Sequence, residues 1–275
     1  MTNQLICGDA IVTMKSFAND SVNAVICDPP FSIGIADWDR FDRIDEFMIE
    51  CKRVLKDGFL AFFAQMPTMI DWLNSASTNF NYLEQICWVK RNITPAHRLS
   101  RTFENIFIYG IENKTFYNVK GRYSDVRVPG LMFETVDILG IQRYIDALWR
   151  MLSGGKDIIK RTRMKSRDYL CKPHARTNEY SNYSNVWSFL PENVKHKYND
   201  EIYHPTMKPI KLMERLVMLL SQENDVVLDP FCGIGSTLVA AKKLSRRWIG
   251  IDINEDYILM ANRRLKLIDG IQLEM

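Results

Sequence analysis

The chain has no run approaching the roughly 18 uninterrupted apolar residues that a membrane-spanning helix needs. Its first residues, MTNQLICGDA, lack both the basic start and the apolar centre of a secretion signal. The six cysteines (Cys7, Cys27, Cys51, Cys87, Cys171 and Cys232) include no close pair of the kind that holds zinc or cycles between thiol and disulfide. Four sit inside apolar runs like ordinary buried thiols, which suits a reducing compartment. His97, His174, His196 and His204 show no metal-ligand spacing, so no metal is expected. Neither sign of charge dominates: 36 Lys and Arg face 33 Asp and Glu, a formal net charge of +3. A polyanionic partner is neither demanded nor excluded by that balance, because binding depends on where charge lies. What remains is a cytoplasmic chain of 275 residues, 47% hydrophobic and 25% charged, long enough for a full-sized core.

Apolar runs separated by helical segments make up most of what is present. Leu5-Ile6-Cys7 ends at Gly8-Asp9, and Val22 to Cys27 ends at Asp28-Pro29-Pro30-Phe31, with a short helix between them over Ala10 to Phe17. Helical stripes over Phe41–Leu55 and Met69–Ser75 alternate with strand-like Phe59–Phe63 and Tyr82–Val89. Asn105–Gly110 follows an irregular connection and suits an antiparallel edge strand. After Pro209 the alternation resumes: helix to Leu220, strand Asp225–Leu228, helix from Ser236, strand Arg247–Ile251 and a last helix over Glu255–Leu267. Continuous apolar strands imply a mostly parallel sheet covered on both faces. One α/β sheet is thus built from both ends of the chain.

The middle reads differently. Lys156, Lys160, Arg161, Arg163, Lys165, Arg167, Lys172 and Arg176 are opposed over that stretch only by Asp157 and Asp168, and a polar, aromatic segment follows. Apart from a helical pattern over Ile138–Leu152, this region resists assignment and is read as an inserted module. The expected divisions are 1–115, 116–203 and 204–275.

Two constellations carry chemistry. In Asp229-Pro230-Phe231-Cys232-Gly233-Ile234-Gly235-Ser236 a strand ends in acid, turns through glycines and enters a helix. Such a turn brings backbone N–H groups close to a nucleotide or a carboxylate. It has neither the Lys-Ser/Thr of a phosphate-binding loop nor the spacing of the dinucleotide fingerprint. Asp252 ends the next strand, where an acid can accept hydrogen bonds from ribose hydroxyls. Together they point to an adenosine-containing cofactor; a purely structural turn remains the alternative. In Asp28-Pro29-Pro30-Phe31 the prolines hold the chain extended and donate no hydrogen bond, so Asp28 and the Pro29 carbonyl can both accept from one small group. A planar base amine has two N–H donors to offer, and Phe31 can stack on the ring. Orienting both hydrogens localises the amine lone pair toward an electrophilic methyl sulfonium, and transfer then rests on positioning and electrostatics. The plain alternative is strand punctuation with a core phenylalanine.

Taken together, these motifs resemble the amino-methylating DNA methyltransferases in the permuted arrangement called the beta class. The tetrad precedes the target-recognition region, the glycine motif follows it, and His204-Pro205-Thr206-Met207-Lys208-Pro209 matches the segment before the cofactor half. The resemblance implies a class I S-adenosylmethionine-dependent fold: a mostly parallel seven-stranded sheet with an antiparallel edge-region strand, circularly permuted, carrying an inserted target-recognition region. It implies that Asp28, Pro29, Pro30 and Phe31 grip a flipped base. It also implies that Asp229, Phe231, Gly233, Gly235 and Ser236 shape the S-adenosylmethionine pocket, with Asp252 at the ribose, Asp9 near the adenine, and Thr206 and Lys208 near the methionyl end. Phe31 stands where the family usually has tyrosine, and Asp252 where it more often has glutamate.

An initial Asp28 resembles adenine-N6 enzymes more than cytosine-N4 enzymes. The expected activity is therefore site-specific N6 methylation of adenine in double-stranded DNA, in a restriction-modification, regulatory or mobile-element setting. Cytosine-N4 methylation, amino methylation of RNA and an inactive DNA-binding scaffold are the alternatives. Cys27 beside Asp28 is not read as a nucleophile. Lys160, Arg161, Arg163, Lys165 and Arg167 either neutralise phosphates or form a solvated face. Arg91, His97, Arg98 and Arg101 either touch DNA near the pocket or belong to a surface loop. Trp38, in a flap over Ser32–Phe41, either shields the pocket or caps the following helix. A homodimer is compatible with the reading.

Overall fold

A strand that is apolar at consecutive positions is stable only if both of its faces are packed, and the centre of this sheet meets that condition. A computed structural model of the chain describes residues 3–31, 41–94, 101–113, 115–117, 120–122, 180–182, 186–189 and 207–272. The strands are β1 (Gln4–Cys7), β2 (Val22–Cys27), β3 (Leu55–Ala64), β4 (Asn81–Thr94), β5 (Arg101–Gly110), β6 (Lys120–Arg122), β7 (Tyr180–Asn182), β8 (Val186–Phe189), β9 (Val226–Asp229) and β10 (Arg247–Asp252). The helices are α1 (Ala10–Met14), α2 (Ile44–Val54), α3 (Met69–Asn79), α4 (Ile210–Leu220), α5 (Ser236–Lys243) and α6 (Glu255–Gln272).

Chain segments Met1–Asn118 and Asn185–Met275 form one compact unit. Its eight-stranded sheet has the order β1-β10-β9-β2-β3-β5-β4-β8. The strands expected from the sequence are all in it, and β8 extends it by pairing in parallel with β4. Only β5 runs against its neighbours, β3 and β4. The sequence places it at an edge, whereas it lies inside the sheet, hydrogen-bonded to β3 on one side and β4 on the other, with Ile106, Phe107, Ile108 and Tyr109 all buried. β1 also sits apart from its sequence neighbours: it pairs with β10 and completes the C-terminal half of the sheet.

Helices α1 to α3 cover one face, where Ile11, Met14, Phe47, Cys51, Trp72 and Ala76 share a core with Val25, Leu60, Phe62, Leu228 and Ile249. Alternation along each strand turns Ala24, Ile26, Phe63 and Val227 to the other face. There α4 contacts β2, α5 contacts β9 and β10, and α6 contacts β1 and β10. Among the described residues no helix is long and apolar enough to cross a membrane. Residues Val119–Ser184 form a second compact unit, whose described part is the antiparallel pairing of β6 with β7. The helix expected over Ile138–Leu152 lies outside the described residues.

Phe62 is fully buried, stacked on Tyr109 at 5.8 Å and tilted against Trp72 at 5.7 Å. Truncating it removes apolar contact and leaves a cavity, so Phe62→Ala should cost about 3–5 kcal/mol of unfolding free energy. Urea denaturation measures this; a loss under about 1 kcal/mol would show that the face is not close-packed there.

Candidate active site

The parallel strands all end at one edge of the sheet, so residues just beyond their last positions are neighbours whatever their separation in sequence. β2 and β9 pair directly, with Ala24 opposite Val227 and Val25 opposite Leu228. Asp28 follows the end of β2, and Asp229 ends β9. From β9 the chain leads through α5 to β10 on one side, and from β2 through α2 to β3 on the other. A sheet that winds outward both ways leaves a crevice between its two starting strands, where ligands of open α/β sheets bind. The acid–proline tip and the glycine turn border that crevice.

The glycine turn is braced by two acids, Asp229 buried and Asp252 half-buried. Asp229 accepts from the Thr237 hydroxyl at 2.5 Å and from the Phe231 amide at 3.1 Å, tying the strand end to the first turn of α5. Burial is the main reason its pKa rises, from 3.8 to about 7. Asp252 accepts from the Gly233 amide at 2.8 Å and the Asn254 amide at 2.9 Å. Gly233 and Gly235 have φ of 49° and 79°, the left-handed region that a side chain makes costly. Arg264 of α6 donates to the Ile234 carbonyl at 2.5 Å and holds the turn from below. The ring of Phe231 points away into the core, 5.2 Å from both Phe41 and Phe47. Asp9 caps α1 by accepting from the Val12 amide at 2.8 Å, and the Gly8 amide before it bonds to the Asp252 carbonyl at 2.9 Å.

At the tetrad, the Phe31 carbonyl accepts from the Thr68 hydroxyl at 3.1 Å, which pins the end of the extended segment. Lys208 reaches Asp28 from the segment before α4 and forms an ion pair with its Oδ2. The Lys208 side chain is 7% exposed, and Nζ also lies 3.4 Å from Glu104 Oε2. Glu104 in turn pairs through Oε1 with Lys90. The result is a line of alternating charge, Lys90–Glu104–Lys208–Asp28, drawn from β4, β5, the α4 approach and β2. Asp28 Oδ1, at the other side of that carboxylate, is buried and accepts no hydrogen bond among the described residues. Burial raises the Asp28 pKa to about 6, against the pull of Lys208 and with a push from Glu104. Cys27 and Cys232 are buried thiols whose pKa values burial raises well above the usual, which removes them as nucleophiles.

Comparison with known proteins identifies the family. The DNA methylase family of N6/N4 methyltransferases matches residues 22–263. The chain belongs to that family. This methylase is 30% identical to the type II methyltransferase M1.MboII of Moraxella bovis, over 94% of each chain. It is 28% identical to the DNA adenine methyltransferase YhdJ of Escherichia coli K12, over 95% of this chain and 82% of YhdJ. Its fold is similar to that of M1.HpyAVI in complex with S-adenosylmethionine, with a TM-score of 0.61, 22% identity and coverage of 95% and 98%. The chain is a DNA methyltransferase with the class I fold. The glycine turn fits S-adenosylmethionine: its backbone is open at two positive-φ glycines, α5 presents its N-terminus there, and the next strand ends in the acceptor Asp252.

In the methylase, Asp28, Phe31, Lys208, Asp229, Gly233, Gly235, Ser236 and Asp252 all lie along this edge. Met207 packs on Ile234 of the glycine turn while Lys208 beside it pairs with Asp28, so consecutive residues bridge the two constellations. Thr206, Trp38, His97, Arg98, Lys160, Arg161, Arg163, Lys165 and Arg167 lie outside the described residues. The backbones of Arg91 and Arg101 belong to β4 and β5; their side chains also lie outside the described residues. Sequence reasoning missed Glu104 and Lys90. A signal existed: in an antiparallel strand it is the start that reaches the active edge, and Glu104 is the acid near the start of β5.

Asp229 gives a pH test. The native state holds its proton up to about 7 while the unfolded chain releases it near 3.8, so this group's contribution to stability falls as pH rises between those values. Asp229→Asn cannot titrate. Its stability relative to wild type should climb across that window in urea unfolding, and a pH-independent difference would contradict the raised pKa.

Proposed function

We propose that this methyltransferase methylates adenine at N6, site-specifically, in duplex DNA. The observation that carries the reading is Asp28 Oδ1, a buried acceptor with no hydrogen-bond partner among the described residues, just beyond the strand that pairs with the one leading into the glycine turn. A buried carboxylate oxygen left unpaired is costly, and an N–H donor of the substrate would satisfy it. The Pro29 carbonyl accepts the second amine hydrogen, and Phe31 stacks on the extruded base. Asp28 thus orients the amine and takes up the proton it releases once methylated. When bound, S-adenosylmethionine supplies a methyl group activated on a positive sulfonium sulfur. Asp229, Gly233, Gly235 and Ser236 shape its pocket while the Phe231 ring braces the turn from the core, Asp252 uses its remaining lone pairs toward the ribose, and Asp9 and Thr206 complete the surround, with Lys208 turned to Asp28 instead.

Adenine is favoured over cytosine-N4 because the tetrad opens with Asp28 and because the similar YhdJ is an adenine enzyme. Likeness to type II methyltransferases supports a restriction-modification setting. Residues 116–203 serve target recognition, flanked by the catalytic segment 1–115 and the cofactor segment 204–275. Arg91, His97, Arg98, Arg101 and the basic run Lys160–Arg167 contact phosphates, and Trp38 shields the opened pocket. A DNA substrate is consistent with the cytoplasmic location read from the sequence.

Nucleoside mass spectrometry of DNA methylated by the enzyme should yield N6-methyladenine; N4-methylcytosine alone would overturn the base assignment, and methylated RNA alone the substrate. Asp28→Ala should lower kcat by about a thousand-fold or more while S-adenosylmethionine binding persists. Unchanged turnover would remove Asp28 from the reaction.

A further inference from the structure

Asp28 has two carboxylate oxygens, and the structure treats them differently. Oδ2 is engaged by the buried Lys208 ammonium, and Oδ1 has no hydrogen-bond partner among the described residues. Lys208 is itself boxed in: Glu104 lies 3.4 Å away, and the rings of Phe63 and Phe31 have their centroids 4.8 Å and 5.8 Å from Nζ. Glu104 is held from behind by Lys90. We infer that Lys208 is a positioning residue for methyl transfer, clamping one oxygen of Asp28 so that the other faces the amine, with Glu104 and Lys90 fixing Lys208 in place. This rests on the methyl-transfer reading above.

The clamp also sets which carboxylate carries charge. Burial pushes Glu104 up, but Lys208 and Lys90 together outweigh it and hold Glu104 below the usual range. Among the described residues Asp28 has a single close cation, Lys208. For it burial dominates, Lys208 pulls down, Glu104 pushes up and Lys90 pulls down from further off. The remaining titratable neighbours among the described residues are Asp229 on the tip of β9, whose charge is coupled to that of Asp28, and the neutral thiol of Cys27. Lys208 is itself kept cationic by Asp28 and Glu104, although burial works against it. Lys208 is therefore what keeps Asp28 ionised at neutral pH, and Glu104 both steadies the clamp and opposes its charge. Removing either residue loosens the same structure, yet the two removals shift Asp28 in opposite directions. A residue with only a structural role would not produce that split.

The test is the pH profile of kcat/KM for methyl transfer from tritiated S-adenosylmethionine to amplified, unmethylated genomic DNA. Wild type should lose activity below about 6, where Asp28 takes up a proton. Lys208→Met should move that acid limb up by about one pH unit or more and cut activity at neutral pH by about ten-fold or more. Lys208→Arg should bring the limb back toward wild type, and Glu104→Gln should move it down. A variant that merely unfolds loses activity at every pH without moving the limb, and calorimetric binding of S-adenosylmethionine identifies it. An unmoved limb in Lys208→Met, or shifts of the same sign in Lys208→Met and Glu104→Gln, would overturn the assignment. If wild type methylates no exocyclic amine, the methyl-transfer reading fails and this inference with it. If wild type does so and the limb stays put, only the role of Lys208 fails.

Discussion

The parallel pairing of β2 with β9 is the constraint on which the site depends. Two short apolar strands, Val22–Cys27 and Val226–Asp229, come from opposite ends of the chain and lie side by side at the centre of the sheet. Each is buried and each ends in an acid at the same edge. Because the strands after them wind outward in opposite directions, a crevice opens between their ends and receives one chemical half from each. The base-gripping tetrad and the donor-binding turn are close because of a backbone register, held by hydrophobic cover on both faces.

Charge is arranged around that register with little exposed to water. Ammonium and carboxylate groups lose much hydration on burial and remain only when partners compensate. Lys208 and Glu104 each have an oppositely charged group on two sides, whereas among the described residues Asp28 has one only at Oδ2. Asp229 and Asp252 have partners of another kind, hydroxyl and backbone N–H groups that shape the glycine turn. The crevice therefore has one wall organised by ion pairs and one by hydrogen bonds. Met207 and Lys208 span both, which explains how a short segment before α4 serves the two constellations.

Much of this was legible in the residues. Apolar runs ending in acid, such as Val25-Ile26-Cys27-Asp28 and Val227-Leu228-Asp229, located the sheet and its active edge, because period and turn chemistry are local properties. The interior place of β5 and the far-edge place of β1 were not legible, since strand order follows from burial on both faces and from long-range pairing. β8 escaped notice because four residues, Val186–Phe189, carry too little pattern to separate from the polar aromatic stretch around them. The site was read as motifs, which exposed Asp28, Gly233 and Asp252 but not Glu104 or Lys90. Those two matter only because the β4–β5 pairing brings an acid and a base that form no motif toward a residue far along the chain. Phe231 shows the converse: its place in the motif suggested the pocket, while its ring anchors the turn in the core.

The most direct measurement is a crystal structure with S-adenosylhomocysteine and a short duplex bearing an unpaired adenine. The account predicts the cofactor across the ends of β9 and β10, its sulfur turned toward Asp28, and the base amine donating to Asp28 Oδ1 and the Pro29 carbonyl. A cofactor bound away from that edge, or an amine held by other groups while Asp28 stays apart, would contradict it.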